Sequence, residues 1–246
     1  MTKNHRNHNR ITQLKNPDGT LLSEPEQIEE CFISHYSRLW QNDSTTPLQL
    51  IIDCLPDDLP KISAYDRDSL IKPVTKYEIF QTVKALPSGK APGPNGINSE
   101  FLRAFWPKIG KELTNAIQYF FESGSLPSSW NQTHICLVPK KDNPICANDY
   151  RPISLCNINY KVIAKIMANR LRNVLPDLIG REQSAFIAGR SIFDNILLAQ
   201  ELSHSLEHDT SSHPMMLIKL DMEKAYDIIR WDVVTAVLTK MSFPNE

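Results

Sequence analysis

The stretch LIKLDMEKAYD, residues 217–227, ends an alternating run in a carboxylate and then places an aromatic residue beside a second acid. Apolar and other side chains alternate through residues 215–222, with one face formed by Met216, Ile218, Leu220 and Met222. This alternation predicts a β-strand with one buried face and with Asp221 at its carboxyl end, on the other face. From Glu223 onward the spacing becomes helical, so Asp227 is expected in the first turn of a helix.

The chemistry of these two acids stays open on the residues alone. A strand-end carboxylate such as Asp221 suits Mg²⁺, which prefers oxygen ligands and usually takes one or two protein carboxylates. Most strand-end acids instead cap the next helix, and an acid at Asp227 complements the helix dipole or pairs with a nearby Lys or Arg. Similarly, Lys140 and Arg151 flank a predicted turn as a triphosphate clamp would, although exposure on the surface explains each of them separately.

Charge is segregated along the chain, although the net charge is only −1. Residues 16–70 carry eleven acidic and three basic side chains, whereas residues 140–190 carry nine basic and four acidic ones. A basic block suits a protein that holds a polyanion, and solvated helix faces explain the same counts. No apolar run approaches the roughly 18 residues of a membrane-spanning helix. The five cysteines form no C-x-x-C pair, which favours reduced thiols in an intracellular protein.

The remaining pattern predicts a helix-rich chain with few strands. Helical spacing is found at residues 23–40, with Ser23 as the cap, and at 75–86, about 99–122, 158–179 and 192–208. Short strands are predicted near residues 134–139 and at 150–155, on either side of a basic turn. Pro and Gly predict loops at residues 44–63, 87–97 and 180–191.

Five stretches occur in collinear order and cover most of the chain: KAPGPNGI (90–97), LVPKKDNPICANDYRPISLCNINYKVIAKIMANRL (137–171), IGREQSAFIAGRSIFDNILLAQEL (179–202), IKLDMEKAYD (218–227) and, more loosely, NRITQLKNPDGTLLSEPEQIEECFISHYSRLW (9–40). Together they resemble the reverse transcriptase of LINE-type non-LTR retrotransposons, especially the plant lineages. One such motif alone would be weak evidence, whereas five in the same order indicate the family.

The resemblance implies an α+β, helix-rich right-hand polymerase fold, of which this chain would hold the fingers and the first part of the palm only. Residues 1–70 would be an N-terminal connector and extension, and residues 71–246 a partial reverse transcriptase domain. Within that domain the fingers would occupy about 75–205, including an extension that contacts template RNA, and the palm would start at about 213–246.

The resemblance also assigns roles in the palm. Asp221 matches the first catalytic carboxylate, which is a ligand of Mg²⁺. Tyr226 matches the aromatic residue that lies under the incoming sugar and rejects a 2′-hydroxyl, the group that distinguishes RNA precursors from DNA precursors. Asp227 matches the second acid of the motif, whose expected role is structural.

In the fingers, the resemblance assigns two groups of residues. Nucleotide binding would involve Gln183 together with Lys140 and Arg151, which would hold the triphosphate. Template contacts would come from Lys90, Phe186, Gly189 and Arg190. The implied partners are an RNA template, a DNA primer and a dNTP, with no membrane and no obligate protein partner. The family's life cycle implies the nucleus and the cytoplasm.

Departures from the family pattern shape the functional expectation. The 246 residues contain no aromatic-Ala-Asp-Asp motif and nothing similar to a thumb, so we expect this chain alone to be inactive as a polymerase. Asn95 stands where the family usually has Asp, and DIIRW (227–231) lacks the charged pair that commonly follows the second acid. The alternatives are a non-catalytic nucleic-acid-binding remnant and a degenerate retroelement product.

Overall fold

The computed structural model describes residues 10–41, 46–208, 216–222 and 224–244, and most of them are helical. In chain order the elements are β1 (Leu14–Lys15), β2 (Leu21–Leu22), α1 (Pro25–Trp40), α2 (Leu48–Asp53), α3 (Ala64–Leu70), α4 (Lys76–Ala85), α5 (Ser99–Ser123), α6 (Ser128–Asn131), β3 (Thr133–Pro139), β4 (Tyr150–Cys156), α7 (Ile158–Arg172), α8 (Leu175–Leu178), α9 (Ile192–Glu207), α10 (Ala225–Ile228) and α11 (Trp231–Lys240). The prediction of a helix-rich chain with few strands is confirmed.

The chain divides into two compact units. The first unit comprises Met1–Asp43 and Pro73–Ile166, and the second comprises Ser44–Lys72 and Met167–Glu246. Helix α7 contributes its first nine residues to the first unit and its remaining residues to the second. None of the described helices is both long and apolar enough to cross a membrane.

The largest core of the first unit is formed by α4, α5 and the start of α7. Its fully buried side chains recur at helical spacing, as expected for amphipathic helices that pack together: Ile79, Val83, Ile117, Val162 and Ile166. The Thr75 hydroxyl caps α4 and the Asn98 side chain caps α5, which satisfies backbone N–H groups that a helix start leaves free. Gly124, in the left-handed conformation, ends α5.

A second core of the first unit lies between α1 and the two small antiparallel sheets, β1–β2 and β3–β4. The ring of Phe32 meets that of Tyr150 edge-on, with 5.3 Å between centroids. In the β3–β4 hairpin, Val138 lies opposite Arg151. This register places the basic turn at the loop end of the hairpin, as the sequence predicts.

The second unit has a smaller core, formed by Ile62, Val174, Leu178 and Met241. The backbone N–H of Ile62 donates to the carbonyl of Met241 (2.9 Å). The Lys240 ammonium donates to the carbonyl of Leu55 (2.8 Å). These bonds connect α11 to the segment between α2 and α3.

Two helix boundaries and one predicted loop differ from the predictions. Helix α1 begins at Pro25 after Glu24, without a side-chain cap, so Ser23 is not the cap; proline already has the helical φ and lacks the N–H that a cap would satisfy. The predicted loop at 44–63 contains α2. Helix α7 ends at Arg172 rather than near residue 179, because the ring of Pro176 clashes with a helical carbonyl four residues earlier.

The largest difference concerns the stretch that carries Asp221. Residues 216–222 form no strand, and no other strand of the described chain pairs with them. An isolated strand leaves its backbone groups without ladder partners, so alternation alone does not form one. The helix predicted from Glu223 is divided into α10 and α11. Residue 215, where the predicted strand begins, and Glu223 lie outside the described residues.

Candidate nucleic-acid interface

Lys140 and Arg151 lie at the loop end of the β3–β4 hairpin in the first unit. Arg151 is opposite Val138, and Lys140 directly follows the last paired residue of β3. Both side chains are exposed. The Lys140 ammonium donates to the carbonyl of Asn148 at 2.7 Å. Because that carbonyl is neutral, the bond orients the ammonium without cancelling its charge. The hairpin therefore presents two positive side chains at one end.

Asp149 gives the loop of this hairpin its shape. Its carboxylate accepts from the backbone N–H groups of Ile145 (2.8 Å) and Cys146 (3.1 Å). It also pairs with the ammonium of Lys141 at 2.9 Å. Burial opposes ionisation of Asp149, but these donors outweigh burial and hold the pKa of the carboxyl well below its usual range. Asp149 was not predicted as a site residue from the sequence, although an acid just before a strand that begins with Tyr150 is a usable turn signal.

The Gly- and Pro-rich loop at 87–97 is fixed at its first end by the start of α5. The Arg103 guanidinium donates to the carbonyl of Leu86 (2.8 Å) and to the hydroxyl of Ser88 (2.6 Å). The Ser99 hydroxyl donates to the carbonyl of Pro87 (2.8 Å). The Glu100 carboxylate accepts from the N–H of Gly89, and this bond lowers the pKa of Glu100.

Asn157, which is only 2% exposed, fixes the other end of the loop. Its Oδ1 accepts from the N–H of Asn95 (3.0 Å), and its Nδ2 donates to the carbonyls of Ser129 (2.8 Å) and Gln132 (3.3 Å). Gly93 lies so close that a Cβ there would be 2.5 Å from the backbone nitrogen of Asn157. Asn157 was not predicted from the sequence, because the residues next to it in the chain do not reveal a contact 62 residues away.

Lys90 lies between these two fixed ends and is exposed. The ammonium of Lys161, on α7, donates to the neighbouring carbonyl of Ala91 at 3.4 Å. The loop thus brings two ammonium groups to one region of the first unit. Both ends are held by hydrogen bonds, so Lys90 projects from a defined backbone position rather than from a free chain.

In the second unit, Arg190 organises the loop at 180–191. Its guanidinium donates to four backbone carbonyls: those of Pro176, Ile179, Gly180 and Gln183. Four of the five N–H groups of the guanidinium are therefore engaged by the loop and by the residues just before it. Gly189 has a φ of 78°, and the Gln183 amide donates to the carbonyl of Ala185 (3.2 Å). In this structure Arg190 shapes the loop, and its charge persists because its acceptors are neutral.

The same loop presents an exposed aromatic pair. Phe186 has a φ of 66°, rare for a residue with a side chain, and its side chain is 86% exposed. Its ring meets that of Tyr226 edge-on, with 6.4 Å between centroids. Tyr226 is itself 82% exposed. Two residues that the family resemblance assigns to the template and to the sugar are thus in contact, and both rings remain accessible to a ligand.

The two acids of LIKLDMEKAYD lie in less regular secondary structure than predicted. Asp221 is exposed in an irregular segment, and Asp227 lies in the single turn of α10, where its N–H donates to the carbonyl of Lys224 (2.8 Å). No group of three or more His, Cys, Asp or Glu residues in the described ranges could hold a metal ion. The described residues do not by themselves fit a complete Mg²⁺ site, and Asp221 supplies one oxygen donor.

The predicted site residues divide between the two units. The first unit holds Lys90, Lys140 and Arg151, and the second holds Gln183, Phe186, Gly189, Arg190, Asp221, Tyr226 and Asp227. Within the first unit the structure brings Lys140 and Arg151 together, and within the second it brings Phe186 and Tyr226 together.

The second half of the chain matches a known protein family. Residues 138–246 match the family described as "Reverse transcriptase (RNA-dependent DNA polymerase)". Lys140, Arg151, Asp221 and Tyr226 all lie within the matched segment, whereas Lys90 lies before it.

Several curated proteins are similar to this chain. The "Transposon TX1 uncharacterized 149 kDa protein" of Xenopus laevis is 33% identical over 243 residues, which are 99% of this chain and 18% of that protein. The "Probable RNA-directed DNA polymerase from transposon BS" of Drosophila melanogaster is 24% identical over 96% of this chain and 26% of that protein. The "Retrovirus-related Pol polyprotein from type-1 retrotransposable element R1" of Bradysia coprophila is 25% identical over 80% of this chain and 20% of that protein. The chain thus spans about a quarter or less of the length of these relatives.

Proposed function

Because this chain belongs to the reverse transcriptase family of non-LTR retrotransposons through residues 138–246, we propose that it forms the nucleotide- and template-contacting part of an RNA-directed DNA polymerase. In this proposal residues 71–246 belong to a right-hand polymerase domain, with fingers at about 75–205 and the palm starting at about 213. Residues 1–70 are an N-terminal connector and extension. The particular similarity to plant elements stays a prediction.

The observation that carries the proposal is the family match, which includes the loop end of the hairpin with Lys140 and Arg151. A dNTP triphosphate is a compact polyanion, and the planar fork of Arg and the point charge of Lys are complementary ways to hold it. In the second unit, Tyr226 would lie against the sugar, and Phe186 would stack on a base or pack beside the nucleotide. Gln183 and Gly189 would contact the nucleotide and the template from the same loop.

Asp221 would be one ligand of Mg²⁺, and in the complete polymerase that metal would activate the attacking 3′-hydroxyl and stabilise the leaving group. The chain's own residues would supply the grip on the triphosphate and the shape of the sugar pocket. Asp227 would support the backbone of the turn that follows Asp221. Lys90, on its fixed loop, would contact a template phosphate.

The test is dNTP binding to the 246-residue chain, measured by equilibrium dialysis with a labelled dNTP. The double variant Lys140→Ala/Arg151→Ala should weaken binding by more than about tenfold, because a hydrogen bond to a charged group contributes about 1.5–3 kcal/mol. The matched control is Lys108→Ala/Lys111→Ala, which removes the same charge from exposed positions of α5. Equal losses in the two double variants would refute the clamp.

Polymerisation by this chain alone is a separate question. We expect no primer extension on an RNA template with Mg²⁺, since the 246 residues contain no aromatic-Ala-Asp-Asp motif and Asp221 is one donor only. Clear dNTP incorporation that Asp221→Ala abolishes would contradict this expectation.

A second candidate function, RNA binding without catalysis, is favoured by the charge of residues 140–190. Lys141 is paired with Asp149, but the bonds of Arg190 go to neutral carbonyls and leave its charge in place. Fluorescence anisotropy with single-stranded RNA at several salt concentrations measures the number of phosphate contacts, at about 0.7 in log–log slope for each contact. Salt-independent affinity would exclude this function.

A further inference from the structure

Two histidines lie one helical turn apart at the end of α9, in a part of the second unit that the proposed polymerase function does not use. His204 is in the last turn of the helix, and His208 is the residue that caps it. Their rings are nearly parallel, with 4.2 Å between centroids and an interplanar angle of 20°. Both side chains are exposed. Residues four apart share one face of a helix, so the two imidazoles point to the same side.

The tautomer of His208 follows from its hydrogen bond. The Nδ1 atom of His208 lies 2.9 Å from the backbone carbonyl of His204. A carbonyl oxygen can only accept, so Nδ1 carries the proton. The lone pair of a neutral ring is then on Nε2, which points away from the backbone. A hydrogen bond from the other ring nitrogen to a carbonyl is the arrangement that orients metal-binding histidines in proteins and makes them more basic ligands.

The position at the end of the helix also favours a cation. The last carbonyls of a helix carry the negative end of its dipole, which attracts positive charge within the final turn. His204 and His208 occupy that turn. The helix end thus combines two nitrogen ligands on one face with a favourable electrostatic field.

We propose that His204 and His208 bind a transition-metal ion through their Nε2 atoms, as a two-histidine site at the end of α9. Imidazole ligands suit Zn²⁺, Cu²⁺ and Ni²⁺, whereas Mg²⁺ prefers oxygen. In a tetrahedral zinc site with Zn–N bonds of about 2.0–2.1 Å, two ligand nitrogens lie about 3.3 Å apart. The two rings are stacked 4.2 Å apart, so their lone pairs lie in nearly parallel planes. The exposed His204 side chain therefore has to turn out of the stack so that its Nε2 meets the ion bound by Nε2 of His208. No third residue of the described chain completes the site.

The experiment is a calorimetric titration of the purified, tag-free 246-residue chain with ZnCl₂, with NiCl₂ and MgCl₂ as separate probes. We expect Zn²⁺ and Ni²⁺ to bind and Mg²⁺ to give no signal that depends on these histidines. His204→Gln and His208→Gln should each weaken Zn²⁺ binding by at least about tenfold, since even the loss of a residue that only orients a ligand costs 10–100-fold. Circular dichroism of each variant checks that the helix is retained.

Two further variants keep the outcome decisive. His134→Gln removes an exposed histidine of β3 and should leave Zn²⁺ binding unchanged. His213→Gln tests the histidine closest in sequence, which lies outside the described residues. Zn²⁺ affinity that survives the loss of His204 or of His208, or that depends on His213 alone, would overturn the assignment. Loss in both single variants with retention in His134→Gln would support it.

Discussion

Asn157 is the strongest single determinant of the loop that presents Lys90, and replacing it offers a quantitative test. Asn157→Ala removes three hydrogen bonds, two from Nδ2 to the carbonyls of Ser129 and Gln132 and one to Oδ1 from the N–H of Asn95. At about 1 kcal/mol each, these bonds contribute about 3 kcal/mol. The small cavity that remains adds about 1 kcal/mol. We therefore expect the free energy of unfolding to fall by about 3–4 kcal/mol.

The assay is urea unfolding of the first unit, followed by tryptophan fluorescence. Three of the four tryptophans lie in the first unit, and Trp231→Phe removes the fourth, whose side chain is 80% exposed. The matched control is Asn98→Ala, the same chemical change at a helix cap, where the single bond to the N–H of Phe101 contributes about 1 kcal/mol. A loss for Asn157→Ala no larger than that of Asn98→Ala would refute the reasoning.

Gly93 provides an independent check on the same contact. A Cβ at this position would lie 2.5 Å from the Asn157 nitrogen and 2.6 Å from the carbonyl carbon of Cys156. Because backbone atoms yield little, Gly93→Ala should displace the loop at a cost of about 1–3 kcal/mol or more. In the double variant with Asn157→Ala the loop is already displaced, so the two losses should sum to more than the loss measured for the double variant.

Three further outcomes follow from the loops of both units. Arg190→Ala should raise the rate of proteolysis within residues 180–191 severalfold, because four carbonyls lose their donor, whereas Arg181→Ala should not. The pKa of Asp149 is lowered in the folded state, so its stabilisation is complete above the unfolded value of about 4 and is lost as pH falls below it; Asp149→Asn should remove that part of the acid sensitivity in pH-dependent urea unfolding. Asn95→Asp should change stability by less than about 0.5 kcal/mol, since a carboxylate oxygen can also accept the N–H of Ile97.

Local patterns predicted the elements of this fold better than they predicted what holds those elements together. The periodicity of α4 and α5 and the Gly and Pro content of residues 87–97 determine local backbone preferences, and the structure confirms them. The bond between Asn95 and Asn157 joins residues 62 apart. No local rule distinguishes that asparagine from an ordinary polar residue at the start of a helix. The same holds for Arg190, which the family resemblance assigns to the template and which donates to four carbonyls in the structure.

The alternation in residues 216–222 shows that a strand pattern forms a strand only when a second surface is present to cover its apolar face. Its apolar face is exposed, with Leu220 at 89% and Met216 at 80%. Helix α9 also buries none of its residues, although Phe193 and Leu197 are among six large apolar side chains exposed along it. Periodicity reports which side of a segment is suited to burial, but burial requires a second surface. In the described chain these two segments have the pattern without that surface. Asp221 therefore lies at the end of an irregular segment rather than at the end of a strand in a sheet.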